Sequence, residues 1–311
     1  MGTPAFAVPS LEILVKNNYN VVAVITAPDK PAGRGKIISQ SEVKKYSLEK
    51  GLNILQPTNL KDQNFIKDLE LLKADLQVVV AFRMLPEIVW NMPKHGTINL
   101  HASLLPQYRG AAPINWAIIN GEKQSGVTTF FINNKIDEGN IIFTKIVEIE
   151  ENETAGELHD KLMNIGPTLL LKTVENIQQN KVKISIQSVK DNSIKLAPKI
   201  CKDMCRVNWN DNIDNIHNFI RGLSPYPAAF TNLISPDGNI FYVKIFKSTK
   251  EKTKNKENIG KIFTNEKNQL KISAKDGLIN ILEIQQSCKK KMKIDEFLRG
   301  VEINNSWKTQ Q

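Results

Sequence analysis

The sequence predicts an α/β protein in two parts: a Rossmann-like parallel sheet over residues 1–181 and a smaller β-barrel over residues 207–311, joined by a linker at 182–206. Three observations predict it. Apolar strand-sized runs alternate with helical runs as far as Lys181, the rhythm of a parallel sheet with helices on its faces. Beyond Lys181 the rhythm changes. Residues 182–206 hold no sustained period, and short strands then follow, separated by turns at Pro236-Asp237-Gly238-Asn239 and Lys275-Asp276-Gly277. The charge divides along the same line. Residues 1–200 carry 23 Lys and Arg against 20 Asp and Glu, whereas residues 201–311 carry 19 against 12, so +7 of the net +10 sits in the smaller part. Such an excess suits a polyanion partner such as RNA.

The elements read in order. Ser10 to Asn17 is a helix with Leu11, Leu14 and Val15 as its apolar stripe. Val21 to Thr26 is a continuous apolar strand, followed by a basic, glycine-rich loop from Ala27 to about Ser41. Glu42 to Lys50 is helical and Gly51 stops it. Asn53 to Gln56 is a short strand, Asn64 to Lys73 a helix, Leu76 to Phe82 a buried strand and Pro86 to Trp90 a short helix. Pro113 to Asn120 is a helix with proline in its first turn. Gly126 to Ile132 and Ile141 to Glu150 are strands. Thr154-Ala155-Gly156-Glu157 is a capping box opening a helix that runs to about Gln179. In the second part a helix spans Ile213 to Leu223. Strands follow at Phe230–Ile234, Ile240–Phe246, Gly260–Phe263, Leu270–Ala274 and Leu278–Gln285, then a last short helix at Ile294–Gly300.

The stretch Gly96 to Pro106 organises the first part. It begins as a strand on which Thr97, Asn99 and His101 share one face while Ile98 and Leu100 point to the core. It breaks at Ser103 and stops at Pro106, which cannot donate to a ladder. Ligands of open α/β sheets collect at the carboxyl ends of strands, where Asn99 and His101 would stand. Asn134-Lys135-Ile136-Asp137-Glu138-Gly139 supplies a carboxylate one helix and one strand later. An amide, an imidazole and a carboxylate together suit acyl transfer. On spacing alone, Asn-x-His is an ordinary satisfied polar pair and Asp-Glu-Gly an ordinary turn. His95, His159 and His217 read as structural or surface residues.

Other classes find less support. The dinucleotide fingerprint G-x-G-x-x-G is absent, and Pro28 to Lys36 does not match a phosphate-cradling P-loop. Three cysteines, Cys201, Cys205 and Cys288, imply no disulfide framework and read as free thiols of a cytoplasmic protein. No zinc site or other metal is expected. No signal peptide is recognisable, and no apolar run reaches the ~18 residues of a membrane span.

The run from Asn99 to Ile114, N-L-H-A-S-L-L-P-x-Y-R-G-A-A-P-I, resembles the signature of the folate-dependent formyltransferases. Supporting matches stand at Gly2–Ala7, Pro28–Lys36, Ile136–Gly139, Leu196–Ile200 and Ser224–Ala228, in family order over nearly the whole chain. Within that family the chain is similar to members that formylate methionine on initiator tRNA. The resemblance implies 10-formyltetrahydrofolate as formyl donor, direct transfer without a formyl-enzyme, and Asn99, His101 and Asp137 as catalytic residues. It places Ser103, Leu104, Leu105 and Pro106 against the folate, with Val80, Phe82 and Met84 on the segment that helps hold the pterin. It makes the second part an OB-like domain, a fold used on oligonucleotides. Arg34 and Lys36 in the basic loop, with Lys244, Lys289, Lys290 and Lys291 in the second part, become the residues expected to bind tRNA. The chain is expected to act as a monomer. The family also places an apolar strand before Gly2-Thr3-Pro4, in mid-sheet. Here Met1 stands where that strand would end, so its two neighbours are expected to have unpaired edges.

Overall fold

A computed structural model describes residues 1–32, 37–188, 194–253 and 258–310. The chain forms two compact units that interleave in sequence. One comprises residues 1–110, 125–147 and 159–196, the other residues 111–124, 148–158 and 197–311.

In the first unit Gln77–Val80 pairs in parallel with Thr97–His101, setting Val78 beside Ile98 and Val79 beside Asn99. Thr97–His101 pairs on its other side with Gln124–Phe131, and this pair is antiparallel, with His101 opposite Thr128. Ile141–Glu148 completes the sheet. The parallel rhythm therefore holds through Thr97–His101 and then gives way to an antiparallel edge. The alternating faces follow the pleat. Ile98 is buried with Ile142, Leu170, Val174 and Ile177, and Val78 packs against the same cluster. Val79 points the other way, into Ile25, Phe65, Leu69, Leu85 and Val89. Helix Ala155–Gln178 thus covers one face and helix Gln63–Leu71 the other.

Both helices begin where their sequences say they should. Asp62 caps the second through its Oδ1, which accepts from the amides of Asn64 and Phe65. Thr154 and Glu157 form the reciprocal box: Thr154 Oγ1 accepts from Glu157 N at 3.2 Å, and Glu157 Oε2 accepts from Thr154 N at 2.8 Å. Gly166 lets this helix approach the sheet, since a Cβ there would meet Leu100 at 2.9 Å.

The strand expected over Val21–Thr26 shortens to Val24–Ile25, paired in parallel with Ile54–Leu55. The reason lies between it and Gln77–Val80. Only the first two residues of the chain enter that interval. Gly2 N donates to Ile25 O at 3.0 Å, Met1 O accepts from Val80 N at 3.0 Å, and the Met1 amine donates to Val78 O at 2.7 Å. Beyond Met1 the interval is a cavity of about 690 Å³, lined by Leu14, Val22, Leu76, Val78, Val174 and Ile177 among others. Without a neighbour on that side, Val21–Ala23 form no ladder. Burial lowers the Met1 amine from its ordinary value of 8.0 to about 5.

The second unit is a sheet that closes. Its strands run Ile262–Thr264, Leu270–Ser273, Gly277–Gln286, Ile240–Lys252, Ala229–Ile234 and Lys308–Thr309 in spatial order. A bridge between Lys261 and Lys308, and the bond from Thr309 N to Gly260 O at 2.9 Å, join the last strand back to the first. The apolar faces of the first five of these strands converge on one core with Trp209, Ile213, Ile220, Leu223 and Phe297. Trp209 is buried only because its indole N–H finds Thr231 Oγ1 at 3.0 Å. Helix Ile213–Leu223 starts at the cap Asn212, whose Oδ1 accepts from Asn215 N at 2.8 Å. Cys201, Cys205 and Cys288 are free thiols. Among the described residues no helix is long and apolar enough to cross a membrane.

Candidate active site

The site stands at the carboxyl end of Thr97–His101. Asn99 is half-buried and His101 buried, on the face that Ile98 and Leu100 leave free. His101 Nε2 lies 2.9 Å from the carbonyl oxygen of Tyr108. A carbonyl can only accept, so the Nε2 proton is fixed by this bond and Nδ1 is the atom left for chemistry. Nδ1 faces Asp137 Oδ2 at 3.8 Å, within reach of a bridging water.

Local structure holds each partner. After His101 the chain turns through the cis Leu105–Pro106 bond. Thr128 Oγ1 donates to Ser103 O at 2.7 Å and accepts from Leu105 N at 3.3 Å, while Ser103 Oγ donates to Gln107 O at 2.7 Å. Tyr108, whose carbonyl orients His101, has a φ of 61° and donates its amide to Lys195 O at 2.6 Å. Asp137 also sits in left-handed backbone, at φ 54°. Its Oδ2 accepts from Gly110 N at 2.9 Å, which leaves the other carboxylate oxygen unassigned by that bond. Gly139 follows because the turn lies directly on the Phe131 backbone, where a Cβ would collide with the carbonyl.

His101 and Asp137 therefore face each other, and Asn99 stands two residues before His101 on the same strand. The residues expected against the folate are spread by burial. Val80 and Leu105 are buried, Leu104, Pro106 and Phe82 half-buried, and Ser103 has no exposed surface, its hydroxyl spent within its own turn. Val80 also gives its amide to Met1. Met84 is 71% exposed. Beside Phe82, the Arg83 guanidinium is 5.6 Å from the ring centroid and donates to Thr58 O at 2.8 Å and to Pro57 O.

Arg34 and Lys36 lie outside the described residues. The root of their loop is well anchored. Lys30–Ala32 pairs with Ile37–Ser39, and Asp29 accepts from Lys44 Nζ at 2.6 Å and from Gln56 Nε2 at 2.8 Å. Those hydrogen bonds from Lys44 and Gln56 hold the Asp29 carboxyl below its usual range. In the second unit Lys289 and Lys290 are exposed. Lys291 pairs with Glu283 at 2.8 Å, and Lys244 donates to Pro227 O at 3.2 Å.

Two further residues, neither expected at the site, connect to the Asp137 turn. Gln187, in the stretch read as linker, donates through Nε2 to Asp137 O and Gly139 O, both at 2.8 Å. Its Oε1 accepts from Arg109 Nε at 3.1 Å and Nη2 at 2.7 Å. The Arg109 side chain is 9% exposed and also pairs with Glu138 at 3.1 Å. Arg109 stands within the family signature, though without a role of its own, whereas Gln187 is found only through the fold. Residues around it are docked: Ser185 and Ile141 exchange backbone hydrogen bonds at 2.8 Å in each direction.

Known proteins match this chain along nearly its whole length. The formyl transferase family model matches residues 1–174, and the model of the formyl transferase C-terminal domain matches residues 199–302. A methionyl-tRNA formyltransferase of Bacteroides fragilis is 51% identical over 99% of this chain and 96% of its own length. One of Flavobacterium johnsoniae is 50% identical over 99% of this chain and 97% of its own. Among solved structures, a sugar 3N-formyl transferase crystallised in the presence of dTDP and 5-N-formyl-THF superposes with a TM-score of 0.65 at 26% identity, covering 93% of this chain and 97% of that one. An N-formyltransferase from Helicobacter canadensis, at 24% identity and a TM-score of 0.63, shares the fold. At half identity along nearly its whole length, and with a formyltransferase model over most of each part, the chain belongs to the methionyl-tRNA formyltransferase family.

Proposed function

We propose that Asn99, His101 and Asp137 carry out formyl transfer in this protein. The enzyme transfers a formyl group from 10-formyltetrahydrofolate to the α-amino group of methionine on initiator tRNA. A bond forms between that nitrogen and the formyl carbon, the bond from the formyl carbon to the folate nitrogen breaks, and a proton passes from the attacking amine to the leaving one. An oxyanion develops between the two steps. Asn99 donates its amide hydrogens to that oxygen, an arrangement whose removal costs roughly 10²–10³ in rate elsewhere. His101 acts through Nδ1, since Nε2 is held by Tyr108 O. Asp137, opposite Nδ1, takes the amine proton through water and returns it for the leaving nitrogen. The segments Ser103–Pro106 and Val80–Met84 border this centre and take the folate. We also assign tRNA binding to 207–311, through Lys244 and the Lys289–Lys291 run, and delivery of the 3′ end to the loop that bears Arg34 and Lys36. The reaction belongs in the cytoplasm.

The approach of Asp137 to His101 Nδ1, two residues along the strand from Asn99, carries this reading. The test is transfer of a labelled formyl group from 10-formyltetrahydrofolate to charged initiator tRNA. The expected result is formylmethionyl-tRNA in the presence of the protein. A folded protein that forms none, under conditions where a relative does, overturns the proposal.

A further inference from the structure

A proton acceptor is useful only if its oxygen stays where the proton leaves, and Asp137 sits on a short turn in left-handed backbone. A non-glycine residue pays for that conformation, so something must hold it. Gly110 N holds the carboxylate. Two backbone carbonyls, those of Asp137 and Gly139, point out of the turn, and both are bound by the single Nε2 of Gln187 at 2.8 Å. The amide of Gln187 cannot rotate away, because its Oε1 is gripped by Nε and Nη2 of Arg109. The Arg109 guanidinium is set in turn by Glu138, the residue next to Asp137. The circuit closes on itself: turn, glutamine, arginine, turn.

We propose that Gln187, backed by Arg109, is a positioning residue for the reaction, fixing the Asp137 turn so that its carboxylate stays opposite His101 Nδ1. This rests on the reading of Asp137 as proton acceptor. Gln187 supplies two donors to carbonyls and one acceptor to a guanidinium, which only a primary amide of this length does at once. Glutamate in its place keeps the grip on Arg109 and even strengthens it, but turns a carboxylate oxygen toward two carbonyls. The fold is retained and the turn is released.

The experiment compares the parent, Gln187→Glu, Asp137→Asn and the double variant, with 10-formyltetrahydrofolate and methionyl initiator tRNA as substrates. A misplacement on the order of 1 Å costs about 10²-fold, so Gln187→Glu is expected to lower kcat by about 10- to 100-fold. KM for either substrate and Tm should stay at the parent values. Because the effect passes through Asp137, Gln187→Glu should cost little more in the Asp137→Asn background. Multiplying losses in the double variant, or a kcat loss that tracks a fall in Tm, overturn the positioning role. Inactive Asp137→Asn beside fully active Gln187→Glu overturns it alone. Full turnover by Asp137→Asn removes the proton acceptor itself and the positioning role with it.

Discussion

The two sheets of this chain differ in how their edges end. The C-terminal sheet closes on itself through Lys261 and Lys308, so each strand has neighbours and one apolar core fills the interior. The N-terminal sheet is open, and Val24–Ile25 and Gln77–Val80 meet only across Met1 and Gly2. The open sheet is also the one that carries Asn99, His101 and Asp137. A closed sheet has no strand end at which the order reverses and a crevice opens, whereas an open one does. The proposed chemistry thus lies on the open sheet, and most of the net positive charge lies in residues 201–311, which hold the closed one.

The largest expected effect tests whether chemistry is confined to the first sheet. Asn99→Ala, His101→Ala and Asp137→Ala should each keep the fold and lose roughly 10²–10³ in kcat. Single-turnover rates at saturating tRNA measure this. A folded His101→Ala protein that turns over like the parent breaks the assignment.

The next effect concerns the gap. Adding an extended run of about five apolar residues before Met1 should pair both edges of the slot. If each residue buries roughly 100 Å², the gain is about 12 kcal/mol against about 7 kcal/mol of chain entropy, leaving about 5 kcal/mol. Equal melting curves for the two forms refute the pairing.

How far the sequence could be read follows the same divide. In the closed sheet the alternation of buried and outward residues marks strands such as Ala229–Ile234, where Ala229, Thr231 and Leu233 point inward, but it breaks in Ile240–Lys252, where Ile245 and Phe246 are both buried and the register shifts. Register follows, because slipping by one residue would turn each apolar side chain outward. In the open sheet the apolar run Val21–Thr26 has the composition of a strand, yet only Val24–Ile25 ladders, since laddering needs a partner that composition does not reveal. The same holds for the site. The two-residue spacing of Asn99 and His101 placed them on one face of one strand, but only the family resemblance gave them a role. Asp137 needed the family pattern. Gln187 had no signal at all, since its hydrogen bonds are to two carbonyls and a guanidinium from distant parts of the sequence.

A third effect belongs to the closed sheet. His217 is buried on helix Ile213–Leu223, with Ser248 Oγ 3.1 Å from Nδ1. Burial first, then the nearby charges of Arg221 and Lys250, lower it to about 4, against a weaker opposing pull from Glu151. Its folded value lies below the unfolded 6.5. The unfolded chain therefore takes up a proton that the folded one does not, and stability falls as pH drops from about 6.5 to about 4. The loss at the bottom of that window is on the order of 3 kcal/mol. His217→Gln should flatten the acid limb of Tm against pH in this range. An unchanged acid limb removes His217 as its source.

The smallest effect sharpens the division of labour itself. Lys289, Lys290 and Lys291 follow each other, but they are not equivalent. Lys291 is paired with Glu283 at 2.8 Å and lies 5.6 Å from the Phe246 ring centroid, so part of its charge is already answered. Lys289 and Lys290 stand exposed at the turn after Gly277–Gln286. A phosphate contact releases counterions and adds close to one unit to the slope of log affinity against log salt. Reversing Lys289 and Lys290 to Glu should therefore weaken tRNA binding uniformly and flatten that slope by about two, with kcat at saturation unchanged. Lys291→Ala should cost less than either, because it gives up a side chain shared with Glu283. Filter binding of charged initiator tRNA over a range of salt separates these outcomes. Unaltered affinity and slope in the double reversal would place the RNA elsewhere on the barrel, and a fall in kcat would show that binding and chemistry are not divided between the two sheets.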